Sequence, residues 1–249
     1  LTLGNNGSRT TTFFSGQQGK LTYSANVMGA KFKSSGTETE MRRTSSDGSR
    51  MDYRQKGNTH IPFTMGNLSL GYELDSMSNI GASIGLTSFT MKNDGHPMTT
   101  FSGGPYGTGF SYGNEMTMKN KNTSFNGSID YQRFFNKART SSLKLSYLFS
   151  TTPAENTNLR VYDPLPAGVT IPLKDLYSEA KTRGTEHTVQ VDYTTPIGKG
   201  QTLSTGLKFI ARRNSSDSKF YDIVSGTNVY NANNSVNYRN MQSILAEYT

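Results

Sequence analysis

Residues 67 to 75, NLSLGYELD, set Leu68, Leu70, Tyr72 and Leu74 at every second position, with Asn67, Ser69, Gly71 and Glu73 between them. Side chains of a β-strand alternate between its two faces, so this segment has one apolar face and one polar face. The pattern returns at Phe125, Gly127, Ile129 and Tyr131 against Asn126, Ser128, Asp130 and Gln132. It returns again at Leu143, Leu145, Tyr147 and Phe149, and at Val189, Val191 and Tyr193 opposite Gln190, Asp192 and Thr194. Leu203, Leu207, Phe209 and Ala211 share one more such face, which includes Thr205. Strands of this kind need an apolar neighbour on one side and water on the other. Either two sheets face each other in a sandwich, or one sheet stands between lipid and an aqueous lumen.

The connections separate these alternatives. Short ones read GQQGK (from Gly16), SMSN (from Ser76), NKART (from Asn136) and IGKG (from Ile197). Long ones fall near residues 35–60, 93–116, 152–185 and 214–235, rich in Gly, Ser, Asn, Pro or charge. Strict alternation of short and long is what an outer-membrane barrel needs, with tight turns at its periplasmic end and long loops outside. Tyr72, Tyr131, Tyr193 and Tyr248 lie near strand ends, the first three just before a short turn, as an aromatic girdle at the membrane interface requires. About nine strands are expected, near 8–16, 20–34, 60–74, 79–92, 117–135, 141–153, 185–196, 201–214 and 236–249. The fold class is therefore all-β, an antiparallel up-and-down transmembrane β-barrel. Nine is an odd number for a closed single-chain bacterial barrel, so residues 1–249 are expected to form one partial barrel region with no plug domain within the chain.

Composition fits without deciding the matter. Only 33% of the chain is hydrophobic and it holds 25 glycines, values that also suit disorder, but its 14 Tyr and 13 Phe sit in patterned segments. With no cysteine, disulfides, thiolate metal sites and cysteine nucleophiles are excluded. No apolar run reaches the length of a transmembrane helix, and any export signal is expected to lie upstream of Leu1 or to have been removed. The formal charge of +8 is spread along the chain rather than gathered in one stripe, which argues against nucleic acid as a partner.

Catalytic chemistry finds little support. His60, His96 and His187 lie far apart in sequence, with no second ligand at metal spacing. Asp130 and Asp192 are inward-facing acids on separate strands, as a solvated lumen needs, and no GxxxxGK phosphate loop occurs. No catalytic, cofactor-binding or metal-binding residue is assigned. The candidate ligand contacts are Tyr106, Phe110 and Tyr112, set among glycines in SGGPYGTGFSYG, a composition suited to wrapping an apolar or sugar face. The prolines and the PLKDLYSEA end of the 152–185 segment suggest a partly ordered excursion with a helical turn. Arg42, Arg43, Arg50, Arg54, Arg160 and Arg183 are candidates to meet lipopolysaccharide phosphates.

GNLSLGYELDSMSNIGASIGL (from Gly66), GSIDYQRFFNKARTSSLKLSYLFS (from Gly127) and VQVDYTTPIGKGQTLSTGLKF (from Val189) resemble the outer-membrane β-barrel family found in Bacteroidota and related to TonB-dependent receptors. The most telling piece is DYTTPIGKGQTLSTGLKF, an Asp-Tyr pair, a proline, a Gly-containing turn and a Gly-Leu-Lys strand. The resemblance implies a barrel of about 22 strands, an N-terminal plug and energy from an inner-membrane complex, here through parts outside this chain. It makes the expected function uptake of an unidentified ligand across the bacterial outer membrane. The implied partners are outer-membrane lipid, lipopolysaccharide and the TonB complex. The alternative is a barrel of the same build that transports nothing and serves as an adhesin or assembly scaffold.

Overall fold

A computed structural model describes residues 2–4, 6–169 and 171–248, with side chains from residue 6 to residue 247. The nine expected strands are all present, as β2 (Gly7–Gln18), β3 (Leu21–Thr44), β4 (Arg50–Asp75), β5 (Ser78–Ser102), β6 (Phe110–Phe134), β7 (Ser142–Tyr162), β8 (Leu176–Gly198), β9 (Gln201–Val224) and β11 (Val236–Tyr248). Two short strands, β1 (Thr2–Gly4) and β10 (Thr227–Tyr230), were not foreseen. Each strand pairs antiparallel with the next from β1 to β10, and β11 returns to pair with β9 below β10. Among the described residues no strand joins the β1–β2 edge to the β9–β11 edge, so the sheet is open, as a portion of a larger barrel is.

The expected long loops are the main correction. Strands β3 to β9 run 21 to 26 residues, about twice the 9–11 needed to cross the hydrocarbon layer. Most of the residues assigned to loops extend these strands outward. At the end of the expected long loops, only 45–49, 103–109 and the described residues 163–169 and 171–175 remain as irregular connections between the paired strands β3 to β8. PLKDLYSEA holds no helical turn: its first residues are irregular and Leu176 already opens β8. Gly, Ser, Asn and Thr read as loop formers in isolation, yet here they sit in ladders whose partners supply the order. At the opposite end the turns after β2, β4 and β8 are two residues long, tight as expected, while the one between β6 and β7 spans 135–141. Gly19 takes φ 58° in the β2–β3 hairpin, and Asp75 accepts a bond from the Met77 amide at 2.7 Å.

The packing is what separates this sheet from a sandwich. Among the described residues Ala30, 7% exposed, is the sole buried hydrophobic residue. Meanwhile Ile84, Ile129, Val189 and Phe209 are 50%, 54%, 47% and 44% exposed within the protein. Leaving such side chains in water forfeits about 1.5–3 kcal/mol each. They share one face, because the register aligns Leu68 with Ile84, Ile84 with Gly127, Ile129 with Tyr147, Tyr147 with Val189, and Val189 with Phe209. The result is a continuous apolar belt from β3 to β9, with Tyr72, Tyr131 and Tyr193 at its turn end. The side chain of Tyr248 lies outside the described residues. Behind the belt the inner face is polar: Ser146 donates to Asp130 at 2.6 Å, Lys144 pairs with Asp130 at 3.2 Å, and Ser83 and Ser128 share a bond of 2.8 Å.

Candidate functional site

Above the belt the two faces change character while the strands stay in register. The β4–β5 pairing holds one offset from Arg50–Ser102 to Glu73–Asn79, so the even positions of β4 stay on the outer face throughout. In the belt those are Leu68, Leu70 and Tyr72; further out they are His60, Asn58, Lys56, Arg54 and Asp52. The inner positions run the other way, from Ser69 and Asn67 to Met65, Phe63 and Ile61. Phe89 and Met91 of β5, and Met116 and Met118 of β6, join them on the inner face. Above the belt the outside is charged, while the inside turns apolar around Phe63, Phe89 and Met118 and on β4 becomes polar again at Thr59, Gly57 and Gln55.

β3 keeps pace by a bulge. Its register with β4 shifts between Ser34 and Thr37, where Gly36 takes φ 67° and its amide donates to Asn58 Oδ1 at 3.2 Å. The extra residue turns Glu38, Glu40 and Arg42 outward. They meet Lys56 at 3.2 Å, Arg54 at 2.8 Å and Asp52 at 2.7 Å, and Arg50 also reaches Asp52 at 2.7 Å.

The inner face ends at the mouth in a platform of rings. The Tyr106 and Phe110 rings lie 5.9 Å apart and those of Phe110 and Tyr112 6.4 Å apart, with Phe110 and Tyr112 on β6 rather than in the expected loop. Tyr106 ends a single 3-10 turn, Gly104–Tyr106, that folds back toward them. Two rings that sequence reasoning did not include complete the set. Phe101 lies 5.0 Å from Tyr106, 5.6 Å from Phe110 and 6.4 Å from Tyr112, and Tyr162 lies 6.0 Å from Tyr112. The signal for Phe101 was its place one hairpin across from Phe110, visible only if 93–116 is read as paired strand. Arg160 and Asn158 stand beside the platform on the inner face of β7. Arg160 Nη1 donates to the Tyr162 hydroxyl at 3.4 Å, whereas Arg160 Nε and Asn158 Oδ1 are shielded and have no partner among the described residues. Burial pushes the Tyr53 hydroxyl above its usual pKa, with the Arg160 charge opposing, and this hydroxyl donates to Gln55 at 2.6 Å.

The remaining candidates scatter. His60, His96 and His187 all lie on the outer face, where His96 meets Asp163 at 2.9 Å and His187 shares a bond of 2.8 Å with Tyr147. Among the described residues no three His, Asp or Glu side chains converge to hold a metal. Asp130 and Asp192 both face the lumen; Gln190 donates to both Asp192 oxygens at 3.1 and 3.0 Å. Of the six arginines, Arg42, Arg50 and Arg54 are paired with acids, Arg43 and Arg160 occupy inner positions, and Arg183 faces outward.

Apolar belt, polar lumen, girdle and tight turns define the wall of an antiparallel transmembrane β-barrel. Residues 133–249, just under half of the chain, match the outer membrane protein beta-barrel family, and with that match the location is the bacterial outer membrane. No curated protein matches the sequence. Among solved structures, the ferric yersiniabactin uptake receptor FyuA from Yersinia pestis is similar at 10% identity and a TM-score of 0.41, over 95% of this chain and 41% of that one. The chain thus spans less than half the length of that receptor. Pseudomonas aeruginosa OccK10 (OpdN) aligns over 98% of both chains at 8% identity and a TM-score of 0.11. At those scores neither likeness bears on function.

Proposed function

We propose that this chain is wall and mouth of a larger outer-membrane transporter, built like a TonB-dependent receptor of the Bacteroidota kind, that takes up a ligand from outside. The observation that carries this reading is the ring platform on the inner face, with Arg160 Nε and Asn158 Oδ1 unpartnered beside it. Flat rings suit a flat apolar ligand face, and a shielded donor and acceptor suit a polar rim. Tyr106, Phe110 and Tyr112 are then first contacts for the ligand, with Phe101 and Tyr162 extending the surface. Energy would come from the TonB complex through parts outside this chain. The wall itself carries out no reaction in this reading, and needs no cofactor.

The test is growth on single carbon or iron sources of cells carrying the wild-type gene, a deletion, or a Phe110→Ala/Tyr112→Ala/Tyr162→Ala triple. The reading expects at least one source whose use depends on the gene and falls in the triple at unchanged surface level. Equal growth of all three strains on every source would favour the adhesin or scaffold barrel instead.

A further inference from the structure

The outer face of β8, β9 and β11 carries cations that pair with no acid among the described residues. In register order the outward residues descend in rows: Lys181, Asp217 and Asn237; then Arg183, Ser215 and Arg239; then Thr185, Arg213 and Met241; then His187, Ala211 and Ser243. The next row, Val189, Phe209 and Leu245, belongs to the apolar belt. Arg183 and Arg239 flank Ser215 two strand spacings apart, about 10 Å, and Arg213 sits one row below, about 7 Å along the strand. Three exposed arginines therefore frame one small residue, with the row His187, Ala211 and Ser243 between Arg213 and the apolar belt. Together with Thr185, Ala211 and Ser215 they line a hollow of about 770 Å³.

Among the described residues none of Lys181, Arg183, Arg213 and Arg239 has an ion-pair partner, although Glu155 and Asp217 border the same hollow. Both acids lie at the level of Lys181, on the side away from the membrane, and Asp217 is 3.9 Å from Lys219. Between Lys181 and the belt the outward residues of these three strands include three arginines and no acid. The outer crest of β3 and β4 differs, because there Arg42, Arg50, Arg54 and Lys56 each meet an acid within 3.2 Å.

We propose that Arg183, Arg213 and Arg239 bind the phosphate of a glycolipid in the outer leaflet, whose acyl chains lie along Val189, Phe209 and Leu245. This rests on the reading of the chain as a membrane wall. Guanidinium groups grip phosphate bidentately, and three of them around one anion offset its charge without help from the protein's own acids. The order from belt to rim matches such a lipid: acyl chains at the apolar rows, phosphate at the arginines, sugar beside the polar row that holds Asp217 and Asn237. Arg183 was already a candidate for lipopolysaccharide phosphate; the sheet adds Arg213 and Arg239 and removes the paired or inward arginines from the set.

The test uses the full-length protein in phosphatidylcholine nanodiscs doped with diphosphoryl lipid A, counting lipid A retained per protein by mass spectrometry after washing. An Arg183→Gln/Arg213→Gln/Arg239→Gln triple is expected to lower retention about tenfold or more, the worth of one charge-assisted bond. An Arg42→Gln/Arg54→Gln/Lys56→Gln triple removes the same charge from the paired crest and stays within about twofold of wild type. The corresponding Arg→Lys triple retains an intermediate amount, since it keeps charge and loses the fork, and it serves should the Gln triple fail to insert. Millimolar inorganic phosphate leaves retention unchanged; displacement by it would assign the site to free phosphate and overturn the lipid. Insertion of all variants with equal retention sinks the inference and leaves the wall standing. Failure of the wild type to enter nanodiscs removes the wall and the inference together.

Discussion

Along β4 to β6 the lower and upper halves of one strand are built to opposite rules. In the belt the outward residues are Leu68, Leu70, Ile84 and Ile129, with Asn67, Ser83 and Asp130 inside. Above it the outward residues are Arg54, Lys56, Lys92 and Lys119, with Phe63, Phe89 and Met118 inside. No register shift interrupts β4, β5 or β6 between the zones, so the backbone ladder is indifferent to which face is dry. What changes is the solvent: lipid outside below, water outside above. A strand that leaves the membrane loses its reason to be apolar outside, and in water it collects apolar side chains on the concave side, where neighbours can cover them.

Putting one charge in each zone should break this symmetry most visibly. Leu207→Arg, inside the belt between Phe209 and Leu203 and opposite Val191, is expected to cost about 2–4 kcal/mol of folding stability in vesicles, as cations do at the bilayer midplane. Thr157→Arg also faces outward, in the upper zone between Lys119 and Glu179, and should stay within about 0.5 kcal/mol of wild type. Urea titration of the protein folded into phosphatidylcholine vesicles measures both. Equal costs would mean that lipid does not cover the belt, and the membrane reading would fall.

The belt was legible in the sequence and the upper zone was not, for one physical reason. Leu68, Leu70, Tyr72 and Leu74 alternate strongly because lipid disfavours polar side chains, and that pattern together with the turns located nine strands. The extensions answer to weaker demands. On β4 the inner positions Gln55, Gly57 and Thr59 alternate with Lys56, Asn58 and His60, so both faces are polar and no period shows. Their strand state comes from partners distant in the chain, which local sequence does not carry. The candidate site followed the same line. Tyr106, Phe110 and Tyr112 stood out by being close in sequence, whereas Phe101 and Tyr162 enter only through pairing across the sheet. The arginines Arg183, Arg213 and Arg239 are 30 and 26 residues apart, and nothing but register places them around Ser215.

A smaller effect separates glycines of the two zones. Gly113 lies on the outer face of the upper zone, under the His96–Asp163 contact that passes from β5 to the end of β7. A Cβ there would come within 2.3 Å of Asp163 Oδ2 and 2.7 Å of the His96 ring. Gly66, on the outer face of β4 in the belt, has only Asn26 O at 4.0 Å near its own added Cβ. Gly113→Ala should displace the contact and cost about 1 kcal/mol, loosening the connection at 163–175 to limited proteolysis, while Gly66→Ala should leave cleavage unchanged. The same cleavage pattern in both would show that His96 and Asp163 do not hold that connection.

The smallest effect expected is at the tip of β3 and β4, which depends on pH as the belt does not. Bonds from Arg50 and Arg42 hold the Asp52 carboxyl below its ordinary value, and the Ser49 hydroxyl and amide do the same for Asp47 in the turn. A carboxyl whose pKa is depressed by folding adds stability above its unfolded value, near pH 4, and loses it as the pH falls through the lower folded value. The tip should therefore be firm at neutral pH and loosen progressively below about pH 4. Since the chain has no cysteine, a spin label on Ser46→Cys reports this tip alone, and one on Thr108→Cys reports the neighbouring β5–β6 tip, whose connection 103–109 contains no acid. Mobility rising on acidification at 46 and not at 108 would assign the effect to Asp47 and Asp52. A parallel rise at both would mean that the whole upper zone loosens in acid, and that its order rests on more than its charge ladder.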